Sequence, residues 1–185
     1  MPPDGPELIL DAAHYARLVR DLIPSATKFL WIATADLKDL HVEGGPKGRE
    51  FIPFVRVLAG LVREGVAVRL LHAKEPGPRF RADFDRCAEL RDTDLFERGL
   101  CPRLHAKIII VDARIAYVGS ANLTGAGLGA KNEHRRNFEA GLLLTDPTAI
   151  VRLMDYVDTL WLGHHCPKCQ RRDVCPDPLD SRLDG

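Results

Sequence analysis

No apolar run in the 185-residue chain reaches the roughly 18 residues that a bilayer-spanning helix needs, so a membrane span is excluded. Charge of one sign is not in surplus either. The 26 Lys and Arg balance the 26 Asp and Glu, which leaves no global field to draw in nucleic acid or anionic lipid. Any polyanion has to be met by a local patch. Aromatic residues make up only 6%, too few for a base-stacking platform, so a bound strand would be held by its backbone with weak sequence preference. A secretory leader is missing from MPPDGPELIL, which has acids and prolines where basic and then apolar residues are needed; the expected location is the cytoplasm. Five cysteines, an odd number in a reducing compartment, argue against a disulfide framework and for metal ligation or free thiols.

What is present fits one domain with a self-sufficient core. Helical spacing of Leu8, Ala12, Tyr15, Leu18, Val19 and Leu22 predicts an amphipathic helix over 7–22, ended by Pro24. KFLWIATA (28–35) reads as a buried strand, HVEGGPKGRE (41–50) as a Gly-rich loop without phosphate-loop spacing, 51–65 as a helix and VAVRLLHA (66–73) as a strand. The strand, helix, strand succession is a βαβ unit and implies a parallel or mixed sheet. A helix over 81–92, strands in PRLHAKIIIVD, RIAYVGS and NFEAGLLLTD, and a closing helix with Pro147 in its first turn complete the expected α/β domain over 1–163. From His164 the apolar periodicity stops and Pro, Cys and charge take over. Residues 164–185 are therefore expected to be a Cys-rich appendage whose last ten or so residues are disordered.

The tetrapeptide LHAK occurs twice, at Leu71–Lys74 and at Leu104–Lys107, and only the second continues as IIIVDARIAYVGSAN. In that copy His105 and Lys107 are two apart on a strand and share a face. A hairpin then brings back Gly119, Ser120 and Asn122. One imidazole, one ammonium, one hydroxyl and one carboxamide on a small site suit the oxygens of a phosphate diester. After the first copy come Glu75, Pro76, Gly77 and Pro78, which break an inner strand, and no Gly-Ser-x-Asn follows. It is not a second motif, although His72 is a candidate for lining the cleft from a neighbouring strand end.

The run His105-x-Lys107, Asp112, Gly119-Ser120-x-Asn122, followed by Asn137-x-Glu139, resembles the HKD signature of the phospholipase D superfamily. The resemblance implies a mixed β-sheet flanked by helices on both faces. It also implies a metal-independent phosphodiesterase that forms a phosphohistidine. By this likeness His105 is nucleophile or acid, Lys107 and Asn122 hold phosphate oxygens, Ser120 supports the hydrogen-bond network and Glu139 orients His105, while Asp112 ties the turn. In-line displacement needs a second histidine on the far side of phosphorus. A single-motif chain is thus expected to form a homodimer with one composite site, as short nuclease members of the superfamily do.

Chain length favours nucleic acid over lipid as substrate, and an endonuclease is the expected function. Lys131, Arg135, Arg136 and Arg103 are the candidate phosphate contacts, with Arg79 and Arg81 extending the track. The competing readings are a non-catalytic nucleic-acid-binding subunit of a defence or restriction complex and a phospholipid phosphodiesterase. In the tail, Cys166-x2-Cys169-x5-Cys175 resembles the C-terminal part of four-cysteine iron–sulfur sites in some DNA-repair glycosylases and helicase-associated nucleases. Zinc is the alternative. The fourth ligand would be Cys101 or Cys87, or in their place His165 or His164. No cofactor is expected for catalysis.

Overall fold

The computed structural model describes residues 5–38, 40–44 and 50–182. Nine strands run through it in chain order: β1 (Glu7–Leu10), β2 (Phe29–Thr34), β3 (His41–Gly44), β4 (Glu50–Pro53), β5 (Ala67–His72), β6 (Phe96–Leu100), β7 (Ile108–Val111), β8 (Ile115–Gly119) and β9 (Ala140–Leu144). Four α-helices join them: α1 (Phe54–Arg63), α2 (Pro78–Asp85), α3 (Ala88–Arg91) and α4 (Pro147–Trp161). Seven strands form one sheet in the order β1-β9-β8-β7-β2-β5-β6. Its β2, β5 and β6 are parallel, joined by crossovers, whereas β7, β8, β9 and β1 add antiparallel.

Both faces of this mixed sheet are covered, which is why IIIV in β7 is apolar at every position. Ile109 and Val111 pack on one side with Leu58 of α1 and Leu18 of a π-helical segment, Tyr15–Leu22. Ile108 and Ile110 pack on the other with Ile150 and Val157 of α4. Helix α4 is held down further by Arg69, whose guanidinium lies 4.6 Å from the Trp31 ring centre and 4.7 Å from that of Trp161 while pairing with Asp158 at 2.8 Å.

Several expectations change: the helix expected over 51–65 begins only at Phe54, the one over 81–92 is split into α2 and α3, and strand β6 was not expected at all. The helix expected over 7–22 starts as strand β1, because ELIL alternates: Ile9 is buried between exposed Leu8 and Leu10, a period of two that the longer helical pattern obscured. The loop at 41–50 is flanked by strands β3 and β4, which pair as an antiparallel ribbon, and residues 45–49 lie outside those described. Strand β6 has no apolar alternation to announce it, since FERGL pairs only at the sheet edge, alongside β5. The tail is no disordered appendage over residues 175–182. Leu179 is 2% exposed in the same core as Leu71 and Leu104, and Gly163, at φ +66°, has the Asp180 backbone where a Cβ would stand. Among the described residues no helix is long and apolar enough to cross a membrane.

Candidate active site

Strand β2 organises the site, because both neighbours present an LHAK end beside its last residue. Thr34 pairs with His72 of β5, and Ala33 pairs with Ile108, the first residue of β7. His105 and Lys107 lie in the extended lead-in to β7 rather than inside the strand. Lys107, 6% exposed, donates to the backbone oxygen of His105 at 2.6 Å, and its Nζ stands 3.2 Å from Nδ1 of the exposed His105 ring. Burial pulls the Lys107 ammonium below its ordinary pKa, against the attraction of Glu139. That is a cation short of solvent, facing an imidazole that has it in plenty.

The hairpin from β7 to β8 is tied at its far end by Asp112. Its carboxylate accepts from the backbone N–H groups of Thr27, Lys28 and Phe29 and from the Thr27 hydroxyl. Burial alone would raise its pKa, but these hydrogen bonds overcome it and hold the group well below the usual carboxylate range. Asp112 therefore sits at the opposite end of β7 from His105 and has a structural part, as expected. At the near end Gly119 is required because the Tyr117 ring and the Ala140 carbonyl occupy the place of a Cβ.

Beyond Gly119, the Ser120 hydroxyl donates to Glu139 Oε2, and Asn137 Nδ2 donates to Oε1 at 2.9 Å. The Glu139 backbone is locked to Asp11 on both sides: its N–H donates to the Asp11 carboxylate at 2.9 Å, and its carbonyl accepts from the Asp11 N–H at 2.9 Å. Glu139 is expected to orient His105; here its hydrogen bonds run to Ser120 and Asn137, and its charge acts on Lys107. Asn122 Oδ1 accepts from the Asp36 N–H at 3.0 Å, which commits the oxygen to the protein and leaves the amide nitrogen to donate elsewhere.

Asp36, Leu37 and Lys38, the segment that holds Asn122, also form one wall of a hollow of about 810 Å³. Lys74, Arg79 and Lys131 line it too, so four cations face two acids, Asp36 and Glu75. Of the predicted phosphate contacts, Lys131 and Arg79 thus line one hollow, whose wall at Asp36 holds Asn122. Exposed Arg135 and half-buried Arg136 lie just ahead of Asn137, and Arg103 is drawn away to the tail, where it lines a hollow with Cys101 and Cys169. Sequence reasoning missed Asp11, Tyr117, Lys38 and Lys74. It also missed Phe138, which at 95% exposure stands between Asn137 and Glu139; alternation about buried Glu139 was the available signal.

The first LHAK copy lends this site only Lys74; its histidine stays out. His72 is 0% exposed, its Nδ1 hydrogen-bonds to the Lys74 carbonyl at 2.8 Å, and burial lowers its pKa. In the tail, Cys101, Cys166, Cys169 and Cys175 line one hollow, whereas Cys87 is buried apart, its thiol on the Asp83 carbonyl at 3.3 Å. His165 lines the neighbouring hollow with Cys101, Cys166 and Cys169, but without Cys175; His164 is exposed and lines neither. Among the described residues no three His, Cys, Asp or Glu side chains are gathered tightly enough to hold a metal ion.

Comparison with known proteins agrees with this geometry. Residues 19–161 match the family model described as cardiolipin synthase, PLD-like domain. The chain is 32% identical over 149 residues to cardiolipin synthase 2 of Bacillus cereus, a match that covers 75% of this chain and 24% of that protein. Cardiolipin synthase 2 of Bacillus anthracis matches to the same extent, so the chain spans about a quarter of the length of the curated relatives it matches. Among solved structures, NucT from Helicobacter pylori superposes with a TM-score of 0.61 at 16% identity, over 84% of this chain and 94% of NucT. Nuc from Salmonella typhimurium, a phospholipase D family member, gives 0.59 at 17% over 85% and 95%. TrmBL2, an archaeal chromatin protein with a novel mode of DNA binding, gives 0.57 at 13% over 87% and 53%. A matching motif, a matching sheet and a family model over most of its length place this chain in the phospholipase D superfamily, as a PLD-like domain.

Proposed function

We propose that the chain supplies half of a phosphodiesterase site and, paired with a second copy across a two-fold axis, cleaves nucleic-acid backbones as an endonuclease. The observation that carries this reading is an exposed imidazole backed by a buried ammonium, on a hairpin whose Asn122 is held by Asp36 in the wall of a cation-lined hollow. His105 attacks phosphorus, so a P–N bond forms as the bond to the leaving oxygen breaks. His105 of the second copy gives that oxygen its proton. Water, deprotonated by the same second imidazole, then displaces His105 and releases the phosphate monoester. Lys107 and the Asn122 amide neutralise the equatorial oxygens as charge builds, a role preorganised donors fill best. Enzymes of this superfamily need no metal for these steps, and none is assigned here.

Nucleic acid is favoured by the cleft lined by Lys38, Lys74, Arg79 and Lys131, four cations against two acids, and by the likeness to Nuc, NucT and the DNA-binding TrmBL2. A second reading, transfer or hydrolysis at a phospholipid phosphodiester, is favoured by the 32% identity to cardiolipin synthase 2. Incubation of single- and double-stranded DNA, RNA and phosphatidylglycerol vesicles with the protein in excess EDTA separates them. The expected result is nucleic-acid cleavage that persists in EDTA and falls by on the order of 10⁴-fold in His105→Ala. Lipid headgroup release without nucleic-acid cleavage selects the second reading, and tight binding with no turnover removes both.

A further inference from the structure

Asp11 lies ahead of residues 19–161, the span that matches the family model, and 128 positions from Glu139, yet the two residues exchange a pair of hydrogen bonds. The register of β1 on β9, in which Leu10 faces Ala140, sets Asp11 opposite Glu139 at the next position. A hydrogen-bonded pair in an antiparallel ladder exchanges two main-chain bonds. Here the Asp11 N–H donates to the Glu139 carbonyl at 2.9 Å, as a strand residue would. The return bond is different: the Glu139 N–H donates to the side-chain oxygen Oδ1 of Asp11, also at 2.9 Å.

The turn after β1 explains the exchange. Asp11 has φ +47°, and its carbonyl has left the ladder to accept from the His14 N–H at 3.1 Å and from His14 Nδ1 at 2.9 Å. After glycine, Asp and Asn are the residues that tolerate this left-handed conformation best. Gly129, in the loop after Asn122, has the Ala12 Cα where a Cβ would stand, so that loop packs directly on the turn. Position 11 must therefore turn the chain and still offer Glu139 an acceptor, because an unpaired N–H in a residue only 9% exposed is costly. With its backbone fixed, Glu139 accepts from Ser120 on one carboxylate oxygen and from Asn137 on the other, and its charge favours the Lys107 ammonium.

We propose that Asp11 is a positioning residue for the phosphodiester reaction: its side-chain oxygen stands in for a strand carbonyl and holds the Glu139 backbone, so that the Glu139 carboxylate stays aligned with Ser120 and Lys107. This role rests on the phosphodiesterase chemistry proposed above and adds to it a part played by β1, an edge strand outside the signature residues. Asp11 acts through Glu139 and not on the phosphate. What position 11 has to supply is an acceptor, not a negative charge.

The test is steady-state hydrolysis of bis(4-nitrophenyl) phosphate, a diester with neither base nor lipid, by the full chain. Asp11→Gly suits the turn but removes the acceptor; Asp11→Asn suits the turn and keeps it. Asp11→Gly is expected to lower kcat on the order of 10²-fold with KM changed by less than about twofold, the usual cost of a slightly misplaced group. Asp11→Asn should stay within about threefold of the wild type, and Asp11→Gly combined with Glu139→Gln should be no slower than Glu139→Gln alone, because the two act as one unit. Far-ultraviolet circular dichroism and urea midpoints verify that each variant folds. Should Asp11→Gly fail to fold, Asp11→Glu, which keeps the charge and sets the oxygen one methylene farther out, is expected to show the same loss of kcat. Turnover preserved in the glycine variant, an equal loss in the asparagine variant, or losses that multiply in the double variant each overturn the role while leaving the phosphodiesterase standing. A wild-type chain that hydrolyses no diester removes the reaction and this role with it.

Discussion

Leu71–Lys74 and Leu104–Lys107 carry the same four residues to the same end of the same sheet, on either side of β2, and meet opposite fates. Strand β5 runs toward that end and β7 runs away from it. In the first copy the histidine is thus the last residue of a buried strand, and the chain turns into solvent at Lys74, which pairs with Asp36 at 3.2 Å. In the second copy the histidine arrives from solvent and the lysine is swallowed at the start of the strand. One copy buries the imidazole and exposes the ammonium; the other does the reverse. Strand direction, not the tetrapeptide, decides which group faces a substrate.

The contrast is sharpest at the lysines. Lys107→Met is expected to lower turnover by about 10²- to 10³-fold, the usual loss of one transition-state cation, whereas Lys74→Met changes it by less than about threefold. Single-turnover cleavage rates at saturating protein decide this, and equal losses at both would break the comparison. At the histidines, His72→Ala should leave turnover of the folded protein intact and cost about 2–4 kcal/mol of stability through the space it vacates, read by urea unfolding.

Acid sharpens the histidine contrast further. Burial lowers the His72 pKa, so below about 6.5 the unfolded chain takes up a proton that the folded chain refuses. Its contribution is therefore present above that pH and lost as pH falls through it. Unfolding midpoints should drop between pH 7 and pH 5, and less so in His72→Ala. A smaller effect concerns Phe138, the exposed ring beside Glu139: Phe138→Ala should weaken single-stranded oligonucleotide binding by roughly five- to tenfold, the value of one stacked base. Binding unchanged by fluorescence anisotropy would leave that ring without a part.

Much of the site was legible because its chemistry is local in sequence. His105, Lys107, Gly119, Ser120 and Asn122 flank one hairpin, and Glu139 immediately precedes the strand that pairs with it, so spacing alone carries them to neighbouring chain segments. What spacing does not reveal is the partner that reaches in from afar. Asp11 locks the Glu139 backbone across 128 positions, and Asp36 holds Asn122 across 86, contacts that exist only once β1 and β2 have joined the sheet. Edge strands hid for a related reason: β1 is only four residues long with one buried side chain, and β6, FERGL, buries Phe96 and Leu100 with no period-two alternation between them. The tail misled through its composition. Polar and Pro-rich, it reads as disordered, yet it packs through Leu179 and the glycine at 163.

The central claim is that the second LHAK copy, and not the first, forms a bond to phosphorus. Acid-labile, alkali-stable phosphate left on the protein after a rapid quench with labelled substrate, mapped by mass spectrometry, tests it most directly. The predicted result is a phosphoramidate on His105 alone, absent from His105→Ala. An adduct on His72, or cleavage that continues undiminished in His105→Ala, contradicts it.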